Sequence, residues 1–168
     1  MDNLEFSIEI FNKKYNRTEF NCNSERLNKY LQEQVTSNIK QNIAICYLAL
    51  NNQQKIIGYY TLSSCSLLLN NLPDELKNKL PRYPTIPAVL MGRLAVDINY
   101  QGKKIGASLL ADALKRCINS GIGAYALVVD VIDEKAKQFY LNYGFIECID
   151  NPHTLFFIIS NAKTLINR

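Results

Sequence analysis

One histidine, His153, and no Cys-x-x-Cys pair leave this chain of 168 residues little from which to build a metal site. The five cysteines (Cys22, Cys46, Cys65, Cys117 and Cys148) are odd in number and widely separated, which also argues against a secreted disulfide framework. Most sit in apolar runs and read as small core residues. A lone histidine beside a proline turn argues against a His-based triad and is expected to be inert. No apolar stretch approaches the ~20 residues a membrane helix requires, and the first residues lack a charged-then-apolar leader. A cytoplasmic location without membrane contact is the expectation. Neither charge sign forms a run: 19 basic residues against 15 acidic ones give a net charge of +4, without a nucleic-acid-binding tail. A folded surface can still gather the basic residues into a patch, so an anionic partner remains open.

What is present is ordinary globular material. Hydrophobic residues make up 48% and charged residues 20% of the chain, enough for one sizeable core and one domain over 1–168. Alternating Leu4, Phe6, Ile8 and Ile10 predict a half-buried first strand. Asn23 or Ser24 caps a helix bearing Leu27, Tyr30 and Leu31, and a second short helix spans Val35–Lys40. Ile43–Leu50 and Ile56–Ser64 form a hairpin across Asn51-Asn52-Gln53-Gln54. Pro73–Pro87 is irregular, with a small helix at Asp74–Lys79, and such loops often border a site. Ala88–Val96 reads as a central strand and Ile105–Ile118 as an amphipathic helix. Ala124–Val131 is a further buried strand. A helix capped by Asp133 runs from Glu134 to about Asn142 and ends at Gly144. Phe145–Cys148 and Thr154–Ser160 close the sheet. The pattern is an α/β or α+β sheet domain without repeats.

One turn carries chemistry. Val96-Asp97-Ile98-Asn99-Tyr100 leads from a strand into Gln101-Gly102-Lys103-Lys104-Ile105-Gly106-Ala107-Ser108, where a helix opens. A helix N-terminus presents unpaired N–H groups and a partial positive charge, which suits a pyrophosphate. Gly102, Gly106 and Ala107 allow close approach of the backbone, and Lys103 and Lys104 add charge. Taken alone, the stretch also fits an ordinary strand-to-helix loop. It is neither a GxGxxG fingerprint nor a P-loop.

Gln101-x-x-Lys104-x-Gly106 followed by Ala107 resembles the Gln/Arg-x-x-Gly-x-Gly/Ala coenzyme A signature of the GNAT acetyltransferase superfamily, with Lys104 in place of the first glycine. Met91-Gly92-Arg93-Leu94-Ala95-Val96-Asp97 is similar to that family's central strand. Asp133-x-x-Ala136-x-x-Phe139-Tyr140-x-x-Tyr143-Gly144-Phe145 is similar to its later helix. Arg93–Asp97, Gly58-Tyr59-Tyr60-Thr61-Leu62-Ser63 and Phe20-x-Cys22 before Leu27-Asn28-x-Tyr30-Leu31 further resemble the GNAT toxins of type II toxin–antitoxin modules, the TacT and AtaT group.

The resemblance implies a mixed, mostly antiparallel sheet of about six or seven strands, flanked by helices and splayed at two central parallel strands. It implies acetyl-CoA as cosubstrate, no metal, and acetylation of the α-amino group of aminoacyl-tRNA, which stops translation. A ribbon–helix–helix antitoxin and a homodimer are the implied partners. Cofactor contacts fall on Leu94, Ala95 and Val96 and on Gln101, Gly102, Lys103, Lys104, Ile105, Gly106 and Ala107. Tyr140 matches the general acid toward the coenzyme A sulfur; its spacing with Ala136, Phe139 and Tyr143 fits core packing equally well. Arg26, Lys29, Lys40, Arg82 and Arg93 are candidate tRNA contacts, each also readable as solvated surface charge, and Arg93 also as an ion pair with Asp97 or Glu5. Asp97 is expected to organise the turn. Two other readings stay open: an acceptor that is a small amine or a protein N-terminus, and a non-catalytic fold that binds a protein partner.

Overall fold

A computed structural model describes residues 3–166. Seven strands form one sheet in the order β1-β2-β3-β4-β5-β7-β6. They are β1 (Phe6–Ile10), β2 (Ile45–Asn51), β3 (Ile56–Leu68), β4 (Thr85–Val96), β5 (Ala126–Asp130), β6 (Ile146–Glu147) and β7 (Thr154–Ile158). β1 with β2, β2 with β3, β5 with β7 and β6 with β7 pair antiparallel. The parallel pair is β4 with β5, joined at Ala88–Leu90 against Ala126–Val128. This is the mixed, mostly antiparallel sheet that the sequence implied. Among the described residues no helix is long and apolar enough to cross a membrane.

The chain divides into two compact units. One comprises the stretch ending at Ser63 together with Gly92–Ala113. Its core gathers Phe20, Tyr30, Leu31, Val35, Leu48 and Tyr59, all buried. Helix α1 (Glu25–Lys29) is capped by the Ser24 hydroxyl, which accepts from the Leu27 N–H. It runs without a break through a π-helical turn, Tyr30–Gln34, into α2 (Val35–Lys40). The Val35 N–H donates to the Tyr30 carbonyl, one residue further back than in an α-helix. That extra residue lets Tyr30, Leu31 and Val35 all face the core. Helix α4 (Ile105–Ile118) starts in this unit, and its Ile105 and Leu109 press onto β3 at Gly58. A Cβ at Gly58 would lie 3.0 Å from Leu109 and 3.1 Å from the Ala95 carbonyl oxygen, so the close packing requires glycine there.

The other unit comprises Ser64–Met91 and the stretch from Leu114 on. Its core holds Leu67, Leu72, Ile86, Ala126, Val128 and Phe156. Helix α3 (Asp74–Lys77) lies in the proline-rich segment, and α5 (Glu134–Asn142) follows β5. Asp133 caps α5, accepting from the Ala136 N–H at 2.7 Å. Gly144, at φ +92°, ends it.

Several boundaries differ from the sequence-based expectation, and β4 already begins at Thr85, inside the segment expected to be irregular. β3 runs on to Leu68 because Leu67 continues its buried face. The expected last strand, Thr154–Ser160, stops at Ile158, and a helix α6 (Ile159–Ile166) follows. Its buried Ile159 and Ala162 lie three apart, a helical spacing. No glycine or proline separates strand from helix, and β-branched Ile158 and Ile159 read as strand.

Candidate active site

The turn between β4 and α4 is built from within. Asp97, only 1% exposed, donates its N–H to the Ile57 carbonyl at 2.9 Å. Its carboxylate accepts from the N–H groups of Asn99 at 3.0 Å and Asn21 at 3.2 Å. Asp97 therefore organises the turn, as expected, and its carboxylate is committed to backbone rather than to Arg93. The Gln101 side-chain amide donates to the carbonyls of Val96 at 2.9 Å and Cys22 at 3.3 Å, tying the far side of the turn back onto the strand.

Two residues then take left-handed backbone, Gly102 at φ +79° and Lys104 at φ +62°. For glycine this is free; for lysine the Cβ crowds the following carbonyl. The glycine in the family signature thus has a geometric reason, and Lys104 accepts the same geometry with strain. The Lys104 carbonyl accepts the Ser108 N–H at 3.1 Å, the first bond of α4. The N–H groups of Ile105, Gly106 and Ala107 belong to the helix's first turn, beyond reach of the intrahelical ladder. A lysine side chain offers no acceptor to cap them. Lys103 and Lys104 are exposed, and the Lys103 ammonium lies 5.5 Å from the Tyr100 ring centroid. Open donors, a helix dipole and two cations make a fitting cradle for a pyrophosphate.

Within the other unit, Tyr140 sits on α5 with 8% of its surface exposed. Its ring meets Phe139 and Phe145 edge-on, each at 5.1 Å between centroids. The ring packs, while among the described residues no group hydrogen-bonds the hydroxyl, so core packing does not preclude a chemical role. Burial pushes the phenol's pKa above its ordinary value, so it holds its proton at neutral pH.

The candidate RNA contacts fall on several elements. Arg26 and Lys29 are exposed on the last turn of α1, and Lys40 is exposed at the end of α2. Arg82 is exposed in the other unit, lining a cleft of about 620 Å³ with Lys77, Leu80 and Tyr83. Arg93 is half-buried, with its guanidinium carbon 3.5 Å from the centroid of the Tyr30 ring. Sequence reasoning placed Tyr30 on a core face and missed this stack, and it also missed Lys77 and Tyr83 in the cleft. Only the recurrence of Tyr30 and Arg93 in the two toxin-like stretches pointed toward the first. Among the described residues no group of His, Cys, Asp or Glu is arranged to hold a metal.

This sheet order, with a phosphate-cradling turn after its long central strand, is that of an acetyltransferase. The acetyltransferase (GNAT) domain family matches residues 85–155. A solved structure of AtaT complexed with acetyl-methionyl-tRNAfMet is 31% identical, with 96% of this chain and 99% of that chain covered at a TM-score of 0.90. The chain belongs to the GNAT family and is an acetyl-CoA-dependent N-acetyltransferase. Its relatives are toxins. A tRNA-acetylating toxin of Mycobacterium tuberculosis (strain ATCC 25618 / H37Rv) is 29% identical over 151 residues, 89% of each chain. A tyrosine-to-phenylalanine variant of AtaT, bound to the C-terminus of the antitoxin AtaR and acetyl-CoA, is 28% identical, with 97% and 99% covered and a TM-score of 0.81.

Proposed function

We propose that this chain acetylates the α-amino group of aminoacyl-tRNA and so blocks translation, as one catalytic domain working in the cytoplasm where charged tRNA is found. The observation that carries this reading is the likeness, over nearly the whole chain, to AtaT complexed with acetyl-methionyl-tRNAfMet. A ribbon–helix–helix antitoxin as neutralising partner belongs to the same reading, and so does a homodimer.

When bound, acetyl-CoA supplies an acetyl thioester; the residues of this chain do the rest. The backbone N–H groups of Ile105, Gly106 and Ala107, with Lys103 and Lys104, take the pyrophosphate charge. The backbone of Leu94–Val96 holds the pantetheine arm in the manner of an added strand. An α-amine has a pKa near 8, so an appreciable neutral fraction attacks without a dedicated base. The amine nitrogen bonds to the acetyl carbon, the carbon–sulfur bond breaks, and the sulfur leaves with the electron pair. Tyr140 gives that sulfur a proton and recovers one from the ammonium through water. Burial keeps the phenol protonated at neutral pH, so a proton is at hand for the leaving sulfur.

The test is incubation with charged tRNA and radioactive acetyl-CoA. Label is expected on the aminoacyl group, and Tyr140→Phe is expected to bind acetyl-CoA normally while transferring about 10²-fold more slowly or worse. Transfer at the wild-type rate by that variant removes Tyr140 from the chemistry. Unlabelled charged tRNA removes the tRNA acceptor.

A further inference from the structure

Arg93 is held in an unusual way. Its guanidinium carbon stands 3.5 Å from the Tyr30 ring centroid, which places it over the face of the ring rather than beside it. Tyr30 is 1% exposed and cannot swing away. Its hydroxyl accepts from the Asn38 side-chain amide at 3.0 Å, and the Tyr59 ring lies nearly parallel to it at 6.3 Å. The Tyr59 hydroxyl in turn donates to the Leu27 carbonyl at 2.7 Å. The whole support hangs on the helix from α1 to α2, whose π-helical turn begins at Tyr30 itself. Such turns within helices recur at functional sites.

The guanidinium is half-buried, yet among the described residues it forms neither an ion pair nor a hydrogen bond. A second cation is near: Arg17, like Arg93, acts on the buried Cys46 thiol. Stacking satisfies one face of the planar group and leaves its five N–H donors at the edge unspent. A half-buried arginine without an ion pair suits an anion, and its planar fork matches a phosphate or carboxylate bidentately. The pyrophosphate already has its own cradle at Gly102–Ala107, which leaves a different anion for Arg93.

We propose that Tyr30 is a positioning residue that holds Arg93 as the receptor for a backbone phosphate of the acceptor RNA, next to the strand segment Leu94–Val96. The proposal rests on the tRNA reading above and adds to it the device that orients the contact.

Two affinities decide it in the full chain: calorimetric Kd for acetyl-CoA, and KM with salt dependence for charged tRNA. Arg93→Gln is expected to raise KM for charged tRNA about tenfold or more, with kcat and the acetyl-CoA Kd within about twofold. The log–log salt slope of tRNA binding is expected to fall by roughly 0.7–0.9, the loss of one phosphate contact. Tyr30→Leu is expected to act in the same direction, and Tyr30→Phe, which keeps the ring but loses the Asn38 bond, to raise KM less than Tyr30→Leu does. If melting curves show Tyr30→Leu unfolded, Arg93→Lys takes its place, since it keeps the charge and loses the planar fork; its KM is expected to rise as for Arg93→Gln. Weakened acetyl-CoA binding in these variants assigns the phosphate to the cofactor and overturns the RNA contact. Unchanged tRNA parameters in variants of an enzyme that does label charged tRNA overturn the receptor. Wild-type protein that neither binds nor labels charged tRNA overturns the acceptor reading itself.

Discussion

Replacing Lys104 by glycine separates backbone strain from charge at the cofactor turn. Lys104 holds φ +62°. A side chain in that region costs roughly 1–2 kcal/mol, which glycine does not incur. Glycine loses more freedom on folding, and that returns roughly 0.4–1 kcal/mol. The balance is a gain of about 0.5–1 kcal/mol, which for a chain of this size raises Tm by about 1–4 °C. The same change removes a cation from the pyrophosphate cradle. Lys104→Gly is therefore expected to be more stable without ligand, yet to bind acetyl-CoA several-fold more weakly at low salt. The affinity difference should vanish near 1 M salt, where screening acts within about 3 Å. Lys104→Ala provides the control, since it removes the charge and keeps the strained Cβ. It should weaken binding equally while leaving Tm unraised. Scanning calorimetry of the ligand-free proteins and titration with acetyl-CoA at two salt concentrations measure both effects. Equal Tm gains in the glycine and alanine variants, or a fall in Tm with glycine, would refute the reasoning.

Further outcomes follow from the same geometry. Gly58→Ala is expected to lose about 1–3 kcal/mol in urea unfolding, because the new Cβ meets the immobile Ala95 carbonyl at 3.1 Å; an unchanged midpoint would show that β3 and α4 can part there. With an amide-linked aminoacyl-tRNA analogue, kcat is expected to rise between pH 6 and 9 as the α-amine loses its proton. No fall should appear below about pH 10, because burial holds the Tyr140 phenol protonated beyond its ordinary range. A descending limb centred below pH 10 would point to another acid. Burial also pushes the Cys46 thiol up to about 12, so iodoacetamide at pH 8 should leave it unmodified in the native protein and alkylate it after unfolding.

The sequence by itself determined the elements whose signals are local. Helix α4 reads from its apolar spacing, and α5 reads from the Asp133 cap at one end and Gly144 at the other; both boundaries match the structure. The hairpin at Asn51–Gln54 and the cofactor turn were legible for the same reason, since capping, chain reversal and helix dipoles act within a few residues. The tertiary structure alone decided the rest. Nothing local in Tyr30 announces a π-helical turn, which is seen only with Tyr30, Leu31 and Val35 buried together in the core. Arg93 meets Tyr30 only because the part of β4 from Gly92 on and the first helix belong to one compact unit. Lys104 looks like a harmless surface cation until the backbone places it at positive φ, where packing of Ile105 beneath the turn outweighs the local preference of its side chain. Local chemistry wrote the turn proposed for the cofactor into the sequence, whereas the contact proposed for the acceptor RNA exists only through long-range packing.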